Sequence, residues 1–68
     1  MDRILQTYQF GLHRVELTEH ADDDGMAIYQ VLVDHKVITD PPLERIPRFA
    51  DLVRIYARSR DDSQRQGA

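Results

Sequence analysis

Two stretches, 12–20 (LHRVELTEH) and 26–33 (MAIYQVLV), read as strands whose apolar residues gather on one face when they are paired. A period of two puts successive side chains on opposite faces of a strand. Between the stretches lies Ala21-Asp22-Asp23-Asp24-Gly25, a turn signal, because Asp and Gly tolerate left-handed backbone angles and Asp can cap its own turn. A hairpin is predicted that pairs Leu17 with Tyr29 and Val15 with Val31, with His13 and Val33 on the same face. Thr18 then meets Ile28, and Glu16 meets Gln30, on the other face. Asp34-His35 predicts a second, two-residue turn, setting Val31 against Ile38 and Leu32 against Val37. Asp40-Pro41-Pro42 ends the fourth strand, because proline cannot donate to a ladder. At the start of the chain Ile4, Tyr8 and Phe10 share one parity. A tight Phe10-Gly11 loop would set Ile4 against Leu17 and Tyr8 against His13. The alternative is one long strand bent through Gly11 as a bulge.

After Pro47 the rhythm changes. Phe49, Ala50, Leu52, Val53, Tyr56 and Ala57 recur at helical spacing. At 100° per residue they span an arc of roughly 160°, a broad buried stripe. Pro47 suits the first turn of this helix. Arg48, Asp51, Arg54 and Arg58 occupy the opposite side, with Ile55 among them as a candidate contact point.

The predicted fold class is α+β: a small antiparallel β-meander of three or four strands with one C-terminal α-helix packed on one face. Residues 1–60 form the domain, and the polar stretch 61–68 forms a tail. The inner layer is expected to hold Ile4, Tyr8, Val15, Leu17, Tyr29, Val31, Val33 and Ile38 against Phe49, Leu52, Val53 and Tyr56. Leu5, Leu12, Ile28, Leu32 and Val37 fall on the outer sheet face. Five aliphatic residues are many for a solvated face, which marks it as a candidate self-association surface.

Size and charge narrow the picture. A chain of 68 residues buries only about 60% of the surface its unfolded form exposes. It has no cysteine, so disulfides and thiolate metal sites cannot brace it. Residues 1–43 carry three basic and eight acidic side chains, a balance of −5. Residues 44–68 carry six basic, all Arg, and four acidic, a balance of +2. The Arg-bearing helix face, Arg48, Arg54, Ile55 and Arg58, is therefore a candidate partner-binding surface, meeting an acidic partner or another copy's acidic sheet. A pI near 5.4 argues against nucleic acid as the partner. No apolar run is long enough to span a membrane. The first residues lack the basic and apolar regions of a secretory signal, so a cytoplasmic location is expected.

Catalytic and metal chemistry find little support. His20 precedes three aspartates, but the loop is too short and lacks the alternating acids of a calcium site. His13 and His20 have opposite parity and point to opposite faces of one strand. Thr18 could meet His20 two positions along, without an acid in the sequence pattern to orient the ring. His13 could act as an acid or base only in an oligomer large enough to build a pocket. No glycine-rich phosphate loop is present, and no cofactor is expected.

From Val15 to Tyr56 the order of elements resembles the HicB-type antitoxin fold, with Asp22-Asp23-Asp24-Gly25 and Tyr29 in matching places. The Pro-Gly-Cys-like stretch of that family is missing. Asp40-Pro41-Pro42 replaces its Thr/Glu-rich approach to the helix, and fold analogy alone does not fix a function. The function expected is a non-enzymatic protein-interaction or regulatory module, homodimeric and acting by binding another protein. The alternatives are a nucleic-acid-associated regulator using Arg48, Arg54 and Arg58, and a small oligomeric enzyme with a site between subunits.

Overall fold

The computed structural model describes the backbone of residues 2–66 and the side chains of residues 2–61. Four antiparallel strands form one open sheet in the order β1-β2-β3-β4, followed by a single helix. The strands are β1 (Arg3–Phe10), β2 (His13–Ala21), β3 (Ala27–Val33) and β4 (Lys36–Val37). The helix is α1 (Phe49–Gln66). It runs across position 60, where the sequence predicts a boundary between domain and tail. The last two residues of that tail lie outside the described residues.

The turns set the registers. Phe10 pairs with His13, so the first turn is Gly11-Leu12 rather than Phe10-Gly11. Gly11 has φ +62°, a conformation that glycine adopts without the strain a Cβ would bring. Between Ile4 and Gln6 the register slips by one residue, the mark of a β-bulge. Strict alternation would have put Leu5 outside with Thr7 and Gln9. The bulge turns Leu5 onto the core and leaves Ile4 opposite Thr18 and 54% exposed. Leu5 therefore leaves the predicted outer patch, and Ile4 leaves the predicted core.

Between β2 and β3 the register is shifted by two residues from expectation, with Leu17 opposite Val31 and Val15 opposite Val33. The cause is the five-residue turn Asp22–Met26. One Asp22 carboxylate oxygen accepts the amides of Asp24 (2.9 Å) and Met26 (2.8 Å), and Asp22 N–H donates to Met26 C=O (2.9 Å). A shift of two preserves which face each side chain occupies. The Asp34-His35 turn forms as predicted, with both residues at positive φ and Leu32 opposite Val37.

β4 is short, and the chain completes this edge by other means. The Thr39 hydroxyl accepts the amide of Val31 (3.2 Å), and Leu43 exchanges two backbone hydrogen bonds with Tyr29 (both 2.8 Å). The Asp40–Pro41 peptide between them is cis.

Arg48 caps α1. Its carbonyl accepts the amide of Leu52 (2.9 Å), and its own amide donates to the Asp51 carboxylate (3.3 Å), one half of a capping box. Pro47 thus precedes the cap instead of opening the first turn. The core is Val15, Leu17, Val31 and Leu52, with Ile55, Tyr56, Leu43, Tyr8 and Phe10 packed around it. The helix is rotated from the predicted stripe. Ile55 packs inward, so it is no exposed contact point, whereas Phe49 is 58% and Val53 40% exposed. A 160° apolar arc is wider than one sheet face covers. The core takes the side centred between Leu52 and Ile55, and the flank nearest β1 is left over.

Candidate functional site

The leftover flank makes the most distinctive surface of the molecule. Phe49 and Val53 on α1, Phe10 at the end of β1, and Leu12 in the first turn line a shallow trough of about 570 Å³ with Tyr56 at its base. Leu12 is 95% exposed. The rings form a connected set. Phe49 stands 5.5 Å from Tyr8 and 6.0 Å from Phe10, and Phe10 meets Tyr56 edge to face at 5.1 Å. Such pairs fix ring orientation, which gives the trough a defined shape.

A polar knot closes one end. His13 comes from the start of β2, Asp34 from the β3–β4 turn, and Arg60 from α1. The Arg60 guanidinium donates to His13 Nε2 (2.7 Å), and His13 Nδ1 lies 2.6 Å from an Asp34 carboxylate oxygen. An Arg can only donate, so Nε2 accepts and the imidazole proton sits on Nδ1, donating to Asp34. The other Asp34 oxygen accepts the Arg14 amide (3.0 Å). The His13 hydrogen bond, then the Arg14 amide, hold the Asp34 carboxyl below the usual aspartate range. Arg60 also lies over the Tyr56 ring, 5.8 Å from its centroid. Both ring nitrogens of His13 are thus engaged within the chain, leaving neither for a substrate in this arrangement.

On the opposite, uncovered sheet face a second polar series runs through His20. The Thr18 hydroxyl is 2.8 Å from His20 Nε2, and His20 Nδ1 is 3.0 Å from Asp2. Asp2 is the acid that the sequence pattern did not supply. The order hydroxyl, imidazole, carboxylate is that of an activated nucleophile. Here Thr18 is only 8% exposed, and β2 is paired on both edges, so its amides are committed to ladders instead of stabilising an oxyanion. Beside it Glu16, 5% exposed, has His35 Nδ1 at 3.4 Å and Arg14 at 3.9 Å. These contacts hold buried polar groups on a face that no element covers.

The remaining candidates separate. Ile28 and Leu32 are half-buried on the open face with the more exposed Val37, whereas Leu12 lies at the trough. Arg54 is solvent-exposed, 3.9 Å from Asp51, and Arg58 lies beside β4. Phe49 is exposed, contrary to the stripe, but it occupies the β1 flank of the helix, away from Arg54 and Arg58. The alternation of aromatic and basic groups that a single-strand binder uses is therefore not formed there. Among the described residues, no group of three or more His, Cys, Asp or Glu is placed to hold a metal ion, and no helix is long and apolar enough to cross a membrane.

Sequence reasoning missed the trough and the His13–Asp34–Arg60 knot. The signal for the first was the width of the apolar arc. The second joins residues up to 47 positions apart, so only the tertiary arrangement reveals it. Compared with known protein families, curated proteins and solved structures, the chain matches none.

Proposed function

We propose that this protein is a non-enzymatic protein-interaction module whose docking surface is the trough between β1 and α1. The observation that carries this reading is the exposure of Leu12, Phe49 and Val53 together around a trough that the half-buried rings of Phe10 and Tyr56 also line. Aromatic and aliphatic groups left in water beside a shaped depression, rimmed by polar groups such as Arg60 and His13, are what protein interfaces use as anchors. The mechanism is surface complementarity. A partner's apolar side chain fills the trough, and the rim sets orientation.

The test is capture of binding proteins from the native host by tagged wild-type protein and by a Val53→Asp variant. Val53 is partly exposed, so the variant keeps its fold, which circular dichroism verifies. A protein retained by wild type and lost with Val53→Asp supports the reading. Equal retention by both removes it, as does a wild type that retains no protein and is itself monomeric.

A further inference from the structure

The two edges of the sheet are treated very differently. β4 is two residues long and is followed by Asp40-Pro41-Pro42 and the Leu43 bridge, devices that blunt an edge against further pairing. β1 has eight residues, RILQTYQF, with no proline or lysine. Its single charge, Arg3, is paired with Glu19 at 2.9 Å. From Ile4 to Phe10 the strand is uncharged. Among the described residues nothing pairs with its outer edge. The trough opens at the Phe10 end of this strand, between the Gly11-Leu12 turn and Phe49 and Val53 of α1.

We propose that a second copy of this chain occupies the trough. The two β1 strands pair antiparallel across a twofold axis, making one eight-stranded sheet, and Phe49 and Val53 of both copies close over Tyr8 and Phe10 at the seam. The inference rests on the reading of the trough as a protein-docking surface. Two observations select a copy over an unrelated partner. A twofold contact sets each group near its own duplicate, which a charged patch resists and the uncharged stretch Ile4–Phe10 permits. Parity is compatible as well. Tyr8 opposite its own copy leaves Gln6 opposite Phe10 and keeps inner-face residues together, whereas a one-residue slip would turn them outward. The bulge at Leu5 confines the pairing to Gln6–Phe10.

The experiment compares wild type, Val53→Asp, Phe49→Asp and Leu32→Asp by sedimentation across a dilution series, with amide hydrogen exchange in β1. Wild type is expected to be a dimer. Its β1 edge amides are protected, and the protection falls on dilution. Val53→Asp and Phe49→Asp raise the dissociation constant at least about 30-fold, as loss of a central anchor does, with unchanged circular dichroism. Leu32→Asp, on the open face, leaves the dimer intact. Two Asp variants guard against one failing to fold. A wild-type monomer at millimolar concentration overturns the proposal. So does a dimer broken by Leu32→Asp and kept by the trough variants, or a dimer whose β1 edge exchanges freely. If wild type is monomeric yet captures a host protein that Val53→Asp does not, the docking reading stands and only the self-pairing fails.

Discussion

Asp34 joins its turn to β2 and, through His13, to α1. It adopts the left-handed conformation that the two-residue turn requires, ties its turn to β2 through the Arg14 amide, and orients His13, which in turn receives Arg60. Its depressed carboxyl contributes a dependence of stability on pH in the acid range. A group whose folded value lies below its unfolded one stabilises the fold above the ordinary aspartate value and loses that contribution as pH falls through the folded value. We expect a loss of stability beginning as pH falls below about 4, measured by urea unfolding. Asp34→Asn should show a shallower acid limb. Equal limbs in the two proteins would mean that the His13 contact does not form in solution. The turn that holds Asp34 is legible in the sequence, because Asp34-His35 sits between two apolar runs, Val31-Leu32-Val33 and Val37-Ile38. The partner Arg60 is not, because its place depends on the rotation of α1.

At the scale of elements, local grammar and tertiary packing divide the explanation. The β3–β4 turn, the strand-ending prolines and the single helix follow from propensity and periodicity. Two of the departures, the bulge and the helix rotation, have one cause, a search for burial that alternation does not describe. Leu5 reaches the core by a bulge, and Ile55 does so by rotation of the helix. Neither change alters the order of elements, so the α+β meander was readable although several inner positions were not. The bulge makes a prediction of its own. Leu5→Ala should cost about 2–3 kcal/mol, as loss of a partly buried leucine packed on a core does. Ile4→Ala, on an exposed neighbour, should cost under about 1 kcal/mol. A regular β1 would reverse that ranking, and chemical denaturation of the two variants decides it.

For the whole molecule, the central fact is a core of four buried apolar residues among the described residues of an 8.0 kDa chain. Domains of this size sit at the low end of stability, and an unfilled apolar trough leaves part of the available hydrophobic gain unused. The charge division of the sequence offers one way to complete the fold, an acidic sheet meeting a basic helix of another copy. The geometry favours a different way, through the uncharged β1 edge and Phe49, Val53 and Tyr8. Ionic strength separates them. Ion pairs at a protein surface are screened within about 8 Å at physiological salt and about 3 Å at 1 M, so a charge-driven dimer loosens steeply as salt rises. An edge-paired, apolar dimer has little charge to screen, and excluded salts such as sulfate strengthen apolar burial. We therefore expect the dimer dissociation constant to change less than about 3-fold between 0.05 and 0.5 M sodium chloride, and to fall in sodium sulfate. Sedimentation at fixed pH measures both. Weakening by 10-fold or more over the chloride range would assign the contact to the arginines of α1 and the acids of the sheet instead.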